Sequence, residues 1–227
     1  MYIAKTLAVA VFTPGVAFAQ VTVPPNAGMN LPTGSTLGLA CTSLGVSGTV
    51  NLGASQIERA AGVQINAGGA LGAGTGTLSV SGDWVNNGSF DPGTGTVAFD
   101  DACAGGPIAF LGATVFNNLT LSSLSGRTFV LPQGSNITVN GTLTLQGTPA
   151  MPIQLASSGG STAVVNLGPG ALVMRNNAQV AANVQIGALA HAGAVGIPTL
   201  SEWGRIGAAA LLSLAAAIIL KRRREHA

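Results

Sequence analysis

The sequence predicts an all-β fold, and within that class a β-solenoid of roughly six or seven rungs over residues 37–186. Three observations lead to this prediction. Short runs alternate apolar with polar or small residues, which is the period of a half-buried strand. Glycine, asparagine and proline separate these runs. Charged residues make up only 7% of the 227 residues, far fewer than the surface of an ordinary helical globule carries.

The alternating runs are three to five residues long, which is too short for helices. In chain order they span residues 48–52, 63–65, 77–80, 96–99, 118–121, 137–139, 142–145, 153–155 and 184–186. Turn-forming sequences such as Asn87-Gly88 and Asp91-Pro92-Gly93 lie between them. The pattern therefore predicts many short strands joined by tight turns.

Most neighbouring runs start about 11 to 22 residues apart, and a rung of about twenty residues is typical of a β-solenoid. In such a coil each rung pairs with the next, so Val, Leu, Ile and Ala fill a narrow core without large aromatics. Surface Thr, Ser and Asn then supply polarity without charge. An antiparallel β-sandwich of about 150 residues is the alternative fold.

Residues 1–19 predict a signal peptide, because an apolar run too short to span a bilayer follows Lys5. Small residues, Ala17 and Ala19, occupy the positions that signal peptidase accepts before its cleavage site. The sequence thus predicts a mature chain that begins after Ala19. We expect residues 20–36 to form an N-terminal extension or cap.

The C-terminus predicts a membrane stop, preceded by a linker at residues 187–196. Ile206 to Leu220 carries no charge, and a basic tail follows it, formed by Lys221, Arg222, Arg223 and Arg224. As a helix this run covers about 22 Å, and about 27 Å with Trp203 to Arg205 added, against a hydrocarbon core of about 30 Å. The basic tail stays in the cytoplasm by the positive-inside rule, which leaves the bulk of the chain outside.

Just before this span the chain reads Ile-Pro-Thr-Leu-x-x-Trp-Gly, formed by Ile197, Pro198, Thr199, Leu200, Trp203 and Gly204. Residues 197–227 therefore resemble the IPTL-CTERM sorting domain, which is similar to the wider PEP-CTERM class. The resemblance implies processing by an exosortase, an integral-membrane, Cys transpeptidase-like enzyme of Gram-negative bacteria. Pro198 disfavours helix at Ile197, so the motif stays extended above the membrane. A plain single-span anchor is the alternative interpretation.

The body carries a second, looser resemblance. Residues 82–90, Gly-Asp-Trp-x-Asn-Asn-Gly-x-Phe, and residues 116–119, Phe-Asn-Asn-Leu, are similar to degenerate repeats of bacterial surface proteins. Those proteins have autotransporter- or pectate-lyase-like folds, so the resemblance implies a right-handed parallel β-helix. We expect Trp84 to pack within a rung, with Phe90 as its aromatic partner, rather than to serve as a sugar-stacking platform.

The charge is unevenly distributed along the chain. Between Gln20 and Gly196 three arginines face five acidic residues, which gives this region a net charge of −2. Most of the basic residues lie instead in the C-terminal tail. Because a nucleic-acid-binding domain needs a positive footprint of its own, we expect no nucleic-acid partner.

We expect no catalytic residues, no cofactor and no metal site. The acidic residues of the central region are Asp83, Asp91, Asp100 and Asp101, which lack the spacing of a calcium-binding loop and are interpreted as turn formers. A polysaccharide lyase needs a base, usually Arg or Lys, beside a carboxylate cluster. Arg127 and Arg175 stand apart from the acidic residues in the sequence, and we expect both to be solvated.

Cys41 and Cys103 are the two cysteines of the chain. One disulfide between them suits an exported protein. Two buried, unpaired thiols are the alternative. Their separation along the chain is too long to fit the spacing of zinc ligands.

These observations lead to the hypothesis of a non-catalytic structural or adhesin-like protein of the cell surface or extracellular matrix. It would be exported through the inner membrane, held there transiently by its C-terminal helix, and processed by an exosortase. Its expected partners are signal peptidase, the exosortase-type enzyme, the inner membrane and, as a candidate, a surface polysaccharide. The alternative is a small carbohydrate-binding or polysaccharide-cleaving β-helix on the same route.

Overall fold

The computed structural model describes residues 20–103 and 105–187, and this part of the chain contains strands and turns but no helix. The strands coil into a β-solenoid of about eight turns. The ladders between successive turns are parallel on every face of the coil. The alternative fold, an antiparallel β-sandwich, is therefore excluded.

Several predicted segments lie outside the described residues. These are the signal peptide at 1–19, residues 188–196 of the linker, and the sorting segment at 197–227 with its membrane span. Residues 20–103 and 105–187 contain no helix of the length and apolar character needed to cross a membrane.

The coil has three faces, which we name A, B and C in chain order, and from the fourth turn, which begins at Thr77, each turn has one strand on each face. Face A contains β7 (Thr77–Val80), β10 (Thr96–Phe99), β13 (Asn118–Ser122), β16 (Thr142–Gln146) and β19 (Leu172–Asn176). Face B contains β1 (Gln20–Val23), β8 (Trp84–Asn86), β11 (Ile108–Leu111), β14 (Thr128–Leu131), β17 (Ile153–Ser157) and β20 (Ala178–Val180).

Face C is formed by β2 (Gly28–Asn30), β4 (Thr49–Asn51), β6 (Ala70–Gly72), β9 (Ser89–Asp91), β12 (Thr114–Phe116), β15 (Gly134–Val139), β18 (Ala163–Leu167) and β21 (Val184–Ile186). Two longer strands, β3 (Thr36–Val46) and β5 (Gln56–Ile65), run along face A and continue around the corner onto face B. Their ladders shift register at that corner, where the chain bends without leaving the sheet.

The predicted number of rungs, six or seven, is too low. Residues 20–36 are not separate from the coil, because β1 pairs with β3 and β2 pairs with β4. Residues 20–36 therefore already belong to the solenoid, which does not start near residue 37. The number of residues per turn also varies. Fewer residues separate Ile57 from its ladder partner Leu78 than separate Leu143 from its ladder partner Val173.

The alternating pattern of each strand builds the core. In β7, Leu78 and Val80 have no exposed surface, while Thr77 and Ser79 face outward and are half-buried. The same alternation repeats from turn to turn, so aliphatic side chains stack along the inside of the coil. Burial of this continuous apolar column is the main favourable term in the stability of the fold.

The middle turns also enclose an aromatic cluster, so the expectation of a core without large aromatics is wrong there. Trp84, Phe99, Phe110, Phe116 and Phe129 are all fully or almost fully buried. The predicted pair of Trp84 and Phe90 is confirmed, with ring centroids 5.0 Å apart and planes at 81°. Edge-to-face contacts of this kind add to the energy of burial.

Candidate functional site

Of the site residues predicted from sequence, the structure describes the two cysteines. The six motif residues, Ile197, Pro198, Thr199, Leu200, Trp203 and Gly204, lie outside the described residues. So do the four basic residues of the tail, Lys221, Arg222, Arg223 and Arg224. In the described part, the ion pair and the disulfide lie instead at one corner, where the chain passes from face A to face B. We call it the A/B corner.

Arg127 is the centre of this corner, and the expectation that it is solvated was wrong. Only 7% of the residue is exposed. Its Nε lies 3.3 Å from Oδ1 of Asp101. Its Nη1 donates to the carbonyl oxygens of Ser81 at 2.6 Å and Asp100 at 3.1 Å, and its Nη2 donates to that of Cys103 at 3.2 Å.

Asp101 binds the loop that precedes Arg127 as well as the guanidinium. Its Oδ2 accepts hydrogen bonds from Oγ of Ser123, N of Leu124, and both N and Oγ of Ser125, at 2.8 to 3.0 Å. Burial raises the pKa of Asp101, but the hydrogen bonds from Ser123, Ser125 and Leu124 outweigh it and hold the pKa below its ordinary value. The carboxylate is therefore ionised when it pairs with Arg127.

The other carboxylates also act as hydrogen-bond acceptors at turns. Asp100 accepts from Oγ of Ser79 at 2.9 Å, Oγ of Ser81 at 2.7 Å and the backbone N of Ala102 at 2.9 Å. The carboxylate of Asp83 accepts from the backbone N of Ala109, and that of Asp91 from the backbone N of Gly93. The bonds of Asp91 and Asp100 to the backbone two residues ahead agree with their interpretation as turn formers, whereas Asp83 and Asp101 bind groups of the next turn of the coil.

Cys41 and Cys103 form a disulfide, with Cα atoms 5.6 Å apart, so the alternative of two unpaired thiols does not apply. Cys41 belongs to the second turn and Cys103 to the fifth. Three strand spacings amount to about 14 Å, so the loop that carries Cys103 folds back along the corner to reach Cys41. The disulfide thus spans the corners of the third and fourth turns.

The backbone beneath the disulfide is strained. Ala40, Cys41 and Arg59 have positive φ angles of 49°, 64° and 57°. Such conformations of residues other than glycine cost about 1–3 kcal/mol each and persist only where the surroundings enforce them. Here the bend of β3 and β5 around the corner and the disulfide above them provide that enforcement.

These contacts connect turns that are not neighbours. In a solenoid each repeat normally contacts only the repeats on either side. Arg127, in the sixth turn, binds carbonyl groups of the fourth and fifth turns, and the disulfide connects the fifth turn to the second. The A/B corner is therefore a continuous tie across five turns.

The chemistry available at the corner is limited by these bonds. All three guanidinium nitrogens of Arg127 already contact protein oxygens. An open groove of about 610 Å³ lies alongside and includes Asp100, Thr120, Ser122 and Gln146 in its lining. Within the described residues, no three His, Cys, Asp or Glu side chains lie close enough together to hold a metal ion.

Arg175 lies far along the chain on exposed strand β19, as the sequence predicted. Its Nε and Nη2 donate to the carbonyl oxygen of Ala178, at 3.0 and 2.7 Å. This is a local bond on the surface of the last turn. Arg175 and Arg127 are thus not brought together into one site.

No family model matches the chain, and the comparisons with curated proteins and with solved structures found no significant similarity.

Proposed function

We propose that this chain is an exported, exosortase-processed protein of the cell surface or extracellular matrix, with a structural or adhesin-like role and no catalytic activity. Signal peptidase removes residues 1–19, a C-terminal helix holds the chain transiently in the inner membrane, and an exosortase reads the motif at Ile197 to Gly204. The proposal combines the resemblance of the C-terminus with the architecture of the body.

One feature of the described part supports the export route. The disulfide between Cys41 and Cys103 suits an oxidising compartment outside the cytoplasm.

The observation that best supports a role without catalysis is the position of Arg127. It is the arginine closest to a carboxylate in the described residues, but its guanidinium is buried and bound to Asp101 and to three carbonyl groups. A catalytic base must reach a substrate. Arg127 instead stabilises the corner, so we assign the body a structural role.

We also expect the coil to be right-handed. Parallel strands joined by a crossover connection adopt that hand in nearly all proteins. The resemblance of residues 82–90 and 116–119 to surface β-helix repeats points the same way.

Cell fractionation with motif variants tests the sorting proposal. Pro198→Ala changes a fixed position of the motif, and Ser201→Ala changes one of its two variable positions, so the second variant is the matched control. We expect Pro198→Ala to remain in the inner-membrane fraction, while Ser201→Ala reaches the surface or medium as the natural chain does. Equal delivery of both variants would contradict processing through the motif.

A second experiment tests the absence of catalysis. We expect the purified chain to leave acidic polysaccharides intact. Cleavage that is lost in Arg127→Gln or Arg175→Gln, with folding retained, would refute the structural role and favour the polysaccharide-cleaving alternative.

A further inference from the structure

The two halves of the disulfide are held in place in different ways. The loop that carries Cys103 is fixed by hydrogen bonds that do not involve sulfur. The backbone N of Cys103 donates to Oγ of Ser81 at 3.1 Å, and its carbonyl oxygen accepts from Nη2 of Arg127 at 3.2 Å. Just before it, the backbone N of Ala102 donates to the carboxylate of Asp100 at 2.9 Å. Cys103 therefore keeps its position when the bond between the sulfurs is broken.

Cys41 lies on strained backbone instead. Its φ angle of 64° and that of Ala40, 49°, are left-handed, a conformation that is unfavourable for residues with a Cβ. Arg59, one turn further along, has a φ angle of 57°, and Sγ of Cys103 lies 3.7 Å from its carbonyl oxygen. The disulfide thus passes directly over these strained residues. Because it is the covalent part of what constrains them, breaking it lets the strain relax.

The two cysteines also differ in exposure and in charged neighbours. Cys41 is half-buried, whereas only 5% of Cys103 is exposed, so a thiolate from solution reaches Cys41 more easily. Nη2 of the exposed Arg59 lies 3.8 Å from Sγ of Cys41. A neighbouring guanidinium stabilises a thiolate, and a stabilised thiolate is the better leaving group in exchange. Arg59 therefore favours the release of Cys41 from a mixed disulfide.

We propose that this disulfide is a redox switch, opened and closed by exchange with a dithiol. When closed, it ties the fifth turn to the second and holds Ala40, Cys41 and Arg59 in their left-handed conformations. When open, it releases the second and third turns, while the bonds of Arg127 keep the fourth to sixth turns together. The inference goes beyond the proposed function, because neither the sorting route nor a structural role requires a disulfide that opens.

Opening takes two exchanges. A thiolate of the dithiol attacks Sγ of Cys41, the bond between the two protein sulfurs breaks, and its electron pair leaves on Sγ of Cys103, which takes up a proton. The second thiolate of the dithiol then attacks the first sulfur of the same molecule, and Cys41 leaves as a thiolate beside Arg59. The dithiol becomes a cyclic disulfide and has given two electrons to the chain. Closing is the reverse, and the fixed position of Cys103 favours it.

Glycine substitutions test whether the strain favours opening. The purified full-length chain is equilibrated with mixtures of reduced and oxidised dithiothreitol, and its thiols are counted by alkylation and mass spectrometry. Glycine adopts the left-handed conformation readily, so Ala40→Gly should need a roughly fivefold higher ratio of reduced to oxidised dithiothreitol for half-reduction. Ala61→Gly is the matched control, because Ala61 lies in β5 at the same corner without a positive φ angle, and its ratio should stay unchanged.

Two substitutions of Arg59 test its role in the release of Cys41. Arg59→Lys and Arg59→Gln both place a side chain with a Cβ on the same strained backbone, but only the lysine keeps the positive charge. We expect excess dithiothreitol to open the disulfide several-fold more slowly in Arg59→Gln, and at nearly the natural rate in Arg59→Lys. Equal rates in the two variants would refute the electrostatic role of Arg59.

Three outcomes would overturn the switch itself. One is a folded natural chain whose disulfide dithiothreitol opens only after denaturant is added. Another is the same half-reduction ratio for Ala40→Gly and Ala61→Gly. The third comes from hydrogen exchange of the reduced chain, which should accelerate in β3 and β5 but not at the backbone N–H of Arg127. Faster exchange at Arg127 would show that the corner depends on the disulfide. Because these assays use purified protein, they are independent of the sorting route, which the fractionation experiment tests.

Discussion

Nε of Arg127 lies 3.3 Å from Oδ1 of Asp101, although the two residues belong to successive turns of the coil. The pair is shielded from solvent, with 5% and 23% of the side-chain surface exposed. Around it, the guanidinium also binds the carbonyl oxygens of Ser81, Asp100 and Cys103. An ion pair in such a setting matters most when it is broken, because one partner is then left buried without its counter-charge.

Replacing Arg127 with leucine should therefore destabilise the fold. We expect the free energy of unfolding to fall by about 3 kcal/mol, since Asp101 and three carbonyl groups lose their partner. Urea denaturation measures this change. Arg175→Leu is the control, because Arg175 is exposed and should change stability by less than about 0.5 kcal/mol. Equal effects of the two variants would show that the contacts of Arg127 at the corner contribute no more to the free energy of unfolding than an exposed arginine does.

Asp101 should make stability depend on pH in acid. Its pKa is lower in the folded chain than in the unfolded chain, where it is about 3.9. The stability that this difference contributes is complete above the unfolded-state pKa and is lost as the pH falls through the folded-state pKa. Asp101→Asn should remove this part of the acid dependence. Identical pH profiles of unfolding for the natural chain and Asp101→Asn would contradict the assignment.

The disulfide should stabilise a defined part of the coil. Replacing Cys41 and Cys103 together with serine opens a loop of 62 residues, and the chain-entropy model gives a loss of about 4 kcal/mol. Because turns of a solenoid interact mainly with their neighbours, the loss should concentrate in the second to fifth turns. Hydrogen exchange should thus accelerate in strands β3, β5 and β7 and remain unchanged in β19. Uniform acceleration along the coil would contradict a local tie.

The core contains a polar contact whose loss should be costly. Oγ1 of Thr114 is buried and accepts hydrogen bonds from Nε1 of Trp84 at 3.1 Å and from Nδ2 of Asn86 at 3.2 Å. Thr114→Val keeps the shape but leaves these donors short of an acceptor, at a cost of about 1–3 kcal/mol. Thr138→Val, on the outside of the same face, should cost less than about 0.5 kcal/mol. Equal unfolding midpoints for the two variants would refute this contact.

Much of the fold could be predicted from alternation alone. Residues 77–80 and 96–99, predicted as runs, are β7 and β10 with the same bounds. Strand β6 escaped notice because its one large side chain, Leu71, has only Ala70 and Gly72 on either side, so the strand shows too little alternation to stand out from a turn. The first turn was also missed, because Pro24 and Pro25 lie between its two short strands and proline argues against a strand.

The corner could not be predicted because its residues are distant in sequence. Arg127 and Asp101 are neighbours only through the stacking of turns, and the turn that starts at Ile57 is shorter than the one that starts at Leu143. Without a constant period, the sequence does not indicate which side chains lie above one another. The disulfide, by contrast, was named from the sequence as one of two alternatives, because the cysteine count suits a single bond; what the sequence could not indicate is that Cys103 reaches back over three turns to Cys41.

The mass of the mature chain, isolated from its host, tests the central claim most directly. Export and processing predict a chain that starts at Gln20 and has lost the basic tail that begins at Lys221. The described solenoid, Gln20 to Gly187, would be retained in full. A protein in the surface fraction whose mass includes residues 1–19, or the tail through Ala227, would contradict the account.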